Sequence, residues 1–230
     1  MALPRTIAID GPASSGKSAV AALLARELGY LFVDTGAFYR AVTLAVLEAG
    51  VLESGEEALI NVAEHCAMDI TPDHDADNRE YTVLLNGQDV TRNIREPAVE
   101  ATVSRVSAVG GVRKILAEKQ RAMAARGHVI MVGRDIGTIV LPDADLKIYL
   151  DASPEARADR RYRQRIAAGE PADYDAILAS LRARDEHDSH REVSPLRIAP
   201  DAHYVHTDHL DVEGVVQALR KIILDWQPAK

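Results

Sequence analysis

Residues 11–18 read Gly-Pro-Ala-Ser-Ser-Gly-Lys-Ser, and their flanks limit the fold more than any other stretch of this 230-residue chain. Before them, Thr6–Asp10 is a short β-branched run; after them, Val20, Leu23, Leu24 and Leu28 recur at helical spacing until Gly29 stops the helix. Strand, glycine loop and helix in that order make a cradle for phosphate. Gly11 and Gly16 let the backbone curl so that successive N–H groups point inward, and the helix start adds the positive end of its dipole. Lys17 has the reach for the β and γ phosphates of a nucleoside triphosphate, and the Ser18 hydroxyl offers a ligand to Mg²⁺. The nucleoside-triphosphate-binding set expected from the loop is therefore Gly11, Pro12, Ala13, Ser14, Ser15, Gly16, Lys17, Ser18 and Ala19.

The strand and helix alternation continues. Leu31–Val33 is a second strand ending at Asp34, and Phe38–Glu48 reads as a helix before Gly50. From Val51 the rhythm changes: a helical stretch over Glu57–Ala67, short strands at Asp69–Thr71 and Tyr81–Leu85, then Asn86-Gly87 before Gln88–Val90, which is a two-residue hairpin signal. This stretch is expected to be a small antiparallel insert. Pro97 opens a long helical region that should kink at Gly110-Gly111 before running on to Gly127. Val129–Val132, Leu146–Leu150 and His203–His206 supply three more strands, five in all. The expected fold is α/β: a three-layer P-loop NTPase fold with a five-stranded parallel sheet and ligand loops at the carboxyl ends of its strands.

Composition removes several classes of function. A formal net charge of −8 argues against a nucleic acid polymer as partner, since that binding needs an excess of Lys and Arg. Any basic site must be local. No apolar run approaches the ~18 residues that span a bilayer, and a strand begins within a few residues of Met1, so a cytoplasmic location is expected. Cys66 is the single cysteine; it excludes an intrachain disulfide and fits a reducing compartment, as a small buried residue. His187 with His190, and His203, His206 and His209, recur every third residue, but no cysteine accompanies them, so hydrogen-bonded or solvated histidines are expected in place of zinc.

The loop identifies the donor of a reaction and not the acceptor. An Asn-Lys-x-Asp guanine-reading motif does not occur, which argues against a switch-type GTPase. Arginines supply the second pattern. Arg40 follows Asp-Thr-Gly-Ala-Phe-Tyr at the end of the second strand, and Arg134 sits in Gly-Arg-Asp-Ile-Gly-Thr after Val129–Val132. Arg157, Arg160, Arg161, Arg163 and Arg165 share one helix, and residues 184–191 read Arg-Asp-Glu-His-Asp-Ser-His-Arg. In an acidic protein, arginines so placed suit phosphates.

Taken together, DGPASSGKS, DTGAFYR, GRDIGT, RDEHDSHR and the SPL that follows are similar, in order and spacing, to the signatures of bacterial cytidylate kinases, over essentially the whole chain. The resemblance implies a phosphotransferase of pyrimidine nucleotide metabolism that moves the γ-phosphate of ATP to CMP or dCMP, with Mg²⁺ on the donor phosphates. It implies roles residue by residue. Tyr39, Arg40 and Arg134, with Thr35 beside them, would hold the acceptor phosphate. Ser104, Arg113 and Asp135 would read the cytosine edge, and Arg184, Asp188 and Arg191 would contact the ribose side or close over the site. Lys17, Arg134, Arg184 and Arg191 form the expected catalytic set. The arginine-rich helix resembles a lid, with Arg157 and Arg161 expected on ATP. One monomeric domain follows, with a core (about 1–36, 97–153 and 171–230), an acceptor-side insert (about 37–96) and the lid (about 154–170).

Two residues depart from the pattern. Ala19 stands where a threonine hydroxyl is more familiar, and Val132 where an acidic residue commonly precedes Gly-Arg-Asp. Asp34 then becomes the expected metal carboxylate beside Ser18, with Asp10 as the alternative. Two other readings stay open at this point: a P-loop kinase acting on UMP, AMP or another small acceptor, and a non-catalytic nucleotide-sensing regulator.

Overall fold

A right-handed helical crossover returns the next strand in the same direction, so alternating apolar strands and amphipathic helices here close into a parallel sheet. The computed structural model describes residues 3–72 and 81–228. Its chain opens with β1 (Thr6–Asp10), α1 (Lys17–Leu28), β2 (Leu31–Asp34) and α2 (Thr35–Glu48). A side lobe follows, made of α3 (Glu56–His65), β3 (Met68–Pro72), β4 (Tyr81–Leu85) and β5 (Gln88–Asp89). Helices α4 (Pro97–Ala108) and α5 (Gly110–Ala124) lead back to β6 (Val129–Gly133) and β7 (Leu146–Asp151). The chain finishes with α6 (Pro154–Ala167), α7 (Tyr174–His190), β8 (His203–His206) and α8 (Val212–Asp225).

The main sheet has the order β2-β6-β1-β7-β8, parallel at every pairing. The five expected strands are these five. Ile7, Ala8, Ile9, Val129, Ile130, Met131, Val132, Ile148 and Leu150 are sealed from solvent, as continuous apolar strands covered on both faces should be. Asp10 pairs in register with Gly133 and Tyr149, and Asp34 with Val132, so the strands end level. Their loops therefore open into one crevice. A single continuous core joins this sheet to the side lobe through Phe38, Ile70, Tyr81 and Val83.

The side lobe is the expected antiparallel sheet, β3-β4-β5. Asn86 (φ 50°) and Gly87 (φ 80°) both take left-handed backbone, the requirement of the two-residue turn that joins twisted strands. Residues 73–80, inside the expected insert, lie outside the described residues.

Two boundaries differ from the sequence reading. Helix α2 starts at Thr35, three residues before Phe38, because the Asp34 carboxylate caps it by accepting from the Gly36 N–H at 2.9 Å. The break in the long helical region falls at Val109, in extended backbone (φ −71°, ψ 115°), and not at the glycine pair itself. Gly111 packs closely on α3: a Cβ there would lie 2.3 Å from Ile60 Cδ1, which would have to move. Cys66 is buried. Among the described residues no helix is long and apolar enough to cross a membrane, and no three His, Cys, Asp or Glu side chains converge as a metal cluster.

Candidate active site

The loop after β1 needs unusual backbone to turn its N–H groups inward. Gly11 (φ 154°) and Gly16 (φ 90°) provide it, and Ser14 (φ 59°) joins them at the cost of a left-handed conformation that side chains disfavour. Gly11 also has no room for a side chain, since a Cβ would sit 2.1 Å from the Leu150 carbonyl oxygen. Helix α1 begins at Lys17 with Gly16 as its cap, so the helix end points into the crevice. The Lys17 ammonium is buried and donates to the Pro12 carbonyl at 2.9 Å. Burial, reinforced by the nearby Arg134 charge, holds its pKa well below the ordinary lysine value.

Beside Lys17, the Ser18 hydroxyl donates to Asp34 Oδ2 at 3.0 Å, and both side chains line the crevice. That hydroxyl and carboxylate suit a hard cation whose remaining ligands are phosphate oxygens and water. Val132, Asp34's partner in register, is wholly buried and offers no second carboxylate. Asp10 is occupied elsewhere: its carboxylate accepts the Ile136 and Gly137 N–H groups at 2.8 and 2.7 Å, holding the π-helical turn Ile136–Val140. Burial outweighs those two bonds and pushes the Asp10 pKa up to about 6.

Across the crevice, charges alternate along a chain of contacts. Arg113 donates to Asp135 at 2.9 Å, with both side chains almost completely buried. Arg191 lies 4.0 Å from Asp135 and 3.3 Å from Asp188, and Asp188 accepts from Arg134 at 3.0 Å. Arg134 reaches back to the Gly11 carbonyl at 3.0 Å, joining this network to the phosphate loop. The Arg113 guanidinium also lies over the Tyr39 ring, 5.0 Å from its centroid. Burial pushes the Tyr39 phenol up to about 12, so it is a neutral hydrogen-bonding group at pH 7. Arg40 is paired with Glu100 at 2.9 Å. Arg184 is exposed in the crevice and makes no hydrogen bond or ion pair with any described residue; partial desolvation followed by the Arg134 charge lowers its pKa.

These groups share one cavity of about 1220 Å³, larger than the ~300–1,000 Å³ of a typical single-ligand pocket. Ten basic side chains line it against five carboxylates, in a protein whose formal net charge is −8. The balance favours anionic ligands, and the volume accommodates two. The sequence matches the family described as cytidylate kinase over residues 7–224.

The chain belongs to the cytidylate kinase family.

A cytidylate kinase of Mycolicibacterium paratuberculosis is 49% identical over 218 residues, with 94% of each chain covered. Another, from Herpetosiphon aurantiacus, is 45% identical over 223 residues, covering 97% of this chain and 96% of that one. Among solved structures, shikimate kinase from Bacteroides thetaiotaomicron matches with a TM-score of 0.51 at 14% identity, over 95% of this chain and 98% of that one. At that identity the likeness concerns the P-loop kinase fold alone.

Within this cytidylate kinase framework, most residues singled out from sequence converge. Ala13 to Ala19, Asp34, Thr35, Tyr39, Arg40, Ser104, Arg113, Arg134, Asp135, Arg161, Arg184, Asp188 and Arg191 all line the cavity. Thr35 spends its hydroxyl proton on the Val132 carbonyl at 2.8 Å. Gly11 and Pro12 lie at the root of the loop, outside the lining. Arg157 departs from expectation. Only 2% exposed, it is absent from the cavity wall because its guanidinium binds Ala13, Ala152 and Asp185. Sequence reasoning passed over Arg165 and Arg160, which do line the cavity. Arg161 and Arg165 are one turn apart on α6, and that i, i+4 spacing was the available signal.

Proposed function

We propose that this chain transfers the γ-phosphoryl group of ATP to the phosphate of CMP or dCMP, giving ADP and CDP or dCDP. The observation that carries the proposal is the pairing of two anion-binding faces in one cavity: the phosphate loop on one wall and the arginines at 40, 134, 184 and 191 on the other. A nucleotide sensor has no need of the second face. Family membership and the names of the relatives above supply the acceptor.

Phosphoryl transfer asks little covalent work of a protein; positioning and charge compensation dominate. Inward N–H groups of residues 13–18 and Lys17 hold the donor phosphates. Arg40 and Arg134 orient the acceptor phosphate, whose oxygen attacks the γ-phosphorus as the bond to the β–γ bridging oxygen breaks. Arg184 and Arg191 offset the charge spread over the transferred group. Ser104, Arg113 and Asp135 face the cytosine, where a carboxylate meets the exocyclic amine and a guanidinium meets the ring acceptors, a pattern that uracil cannot satisfy. The lid, residues 154–170, closes over ATP and excludes water. With this function we also infer a cytoplasmic monomer.

Ser18 and Asp34 are the residues that would hold Mg²⁺, which supplies charge neutralisation on the donor phosphates. With a single carboxylate at the site, we expect Asp34→Asn to raise the half-saturating Mg²⁺ concentration about 10-fold, one lost charged ligand being worth roughly 1.4 kcal/mol. A Mg²⁺ titration of ADP formation measures it, and an unchanged midpoint would reject Asp34.

A coupled ADP-release assay across nucleoside monophosphates tests the function. CMP and dCMP should exceed UMP and AMP in kcat/KM by about 100-fold or more. Turnover with UMP or AMP while CMP stays inert would overturn the assignment.

A further inference from the structure

In one trans peptide the C=O and N–H point in opposite directions, so a loop that aims N–H groups into a cradle must aim the preceding carbonyls out. Here four carbonyls of the loop each meet a cation, and one of them, that of Ala13, meets Arg157, which lies off the cavity wall. Gly11 O accepts from Arg134 at 3.0 Å, Pro12 O from Lys17 at 2.9 Å, Ala13 O from Arg157 at 3.0 Å and Ser15 O from Arg160 at 3.4 Å. Two of the four cations come from the first half of α6.

Arg157 is the more deeply committed of that pair. Its Nε donates to the Ala152 carbonyl at 2.9 Å, just beyond β7, and both terminal nitrogens engage the Asp185 carboxylate on α7. One guanidinium thus ties together the phosphate loop, the end of β7 and two helices. Arg160, one turn on, adds the Thr207 hydroxyl at 3.1 Å and the Thr207 carbonyl. A small apolar cluster of Ala13, Ala158, Ile177 and Leu181 seals the same junction.

We propose that Arg157 and Asp185 form a pin that sets the Ala13–Ser14 peptide, so that Arg157 is a positioning residue for ATP and not its ligand. Holding Ala13 O outward aims the Ser14 N–H inward, at the residue whose φ of 59° is least comfortable in the loop. The pin makes the first turns of α6 part of the donor site's frame. On this proposal the moving part of the lid is shorter than residues 154–170 and begins after Arg160, and the cations that α6 brings to ATP are Arg161 and Arg165, both on the cavity wall. Arg165 keeps a buried Nε without a hydrogen-bond partner.

The inference rests on the donor half of the function proposed above. It is tested by calorimetric titration of wild type, Arg157→Met, Arg157→Lys and Asp185→Asn with Mg²⁺-ATP and, separately, with CMP. Arg157→Met should weaken ATP at least about 10-fold, the scale of one charged hydrogen bond, and leave CMP within about two-fold. Arg157→Lys should recover part of the loss, because an ammonium keeps the charge but not the fork. The sign of Asp185→Asn decides between pin and ligand. A pin loses its anchor and ATP binds more weakly; an ATP ligand restrained by Asp185 would be released and ATP would bind more tightly, which overturns the proposal. Equal weakening of ATP and CMP overturns it too. Should Arg157→Met fail to fold, Asp185→Asn and Arg157→Lys decide alone. A wild type that binds ATP but never phosphorylates CMP would defeat the acceptor assignment and leave the pin standing.

Discussion

Arg184→Ala should lower kcat for CMP about 1,000-fold, within the range by which arginines accelerate phosphoryl transfer, while leaving the melting temperature unchanged. The two halves of that expectation have one cause. Arg184 is the guanidinium of the cavity that bonds to none of the described residues, and its side chain is exposed in the crevice beside Arg134. The Asp188 and Glu100 carboxylates are near enough to favour its charge, so the fold does not depend on it. Deleting it therefore removes only the charge compensation that the transferring group needs. Because the compensation is greatest when charge has spread over the phosphoryl oxygens, kcat should fall more than either KM rises. Steady-state kinetics paired with thermal unfolding measure both. A fall in melting temperature that tracks the loss of activity would make Arg184 a structural residue and sink its catalytic role.

The contrast between Arg184 and Arg157 explains how far the sequence could be read. Both are arginines in charged helices, and nothing in local spacing separates them. Arg184 stays unpaired at the cavity, whereas Arg157 meets Asp185, 28 positions away, and the Ala13 carbonyl, 144 positions away. Tertiary partners decide the role, and they are invisible to periodicity. The strands were legible because their signal is local: apolar runs bounded by turn residues, as in Thr6–Asp10 and Val129–Gly133. The phosphate loop was legible because its glycines, lysine and serine are consecutive in the chain. Asp10 shows the opposite case. Next to the loop and acidic, it resembles a metal ligand in sequence, yet its oxygens are taken by two N–H groups more than 120 residues away. Asp34 serves twice, as helix cap and as Ser18's partner, and the capping role, missed in sequence, displaced the start of α2.

Asp135→Ala should cost about 3–5 kcal/mol of stability, the usual penalty for stripping one partner from a buried ion pair, and should abolish measurable CMP phosphorylation. Asp135 sits between two guanidinium groups, Arg113 at 2.9 Å and Arg191 at 4.0 Å. Without it the two cations face each other across the cavity wall, Arg113 almost completely buried. At roughly 2–4 °C per kcal/mol for a chain of this size, the melting temperature should fall by roughly 10 °C. That single change cannot tell a reader of cytosine from a strut of the fold. The double substitution Arg113→Met with Asp135→Leu does, because a buried pair replaced by apolar side chains of similar volume often regains its stability. Arg191 keeps Asp188, 3.3 Å away, so no new orphan charge is left. We expect the double variant to recover most of the lost melting temperature and to bind ATP normally, yet to remain inactive toward CMP, since an apolar wall offers the exocyclic amine no acceptor and the ring no donor. Recovery of CMP turnover together with stability would reduce Asp135 and Arg113 to scaffold and move cytosine recognition to other residues of the cavity.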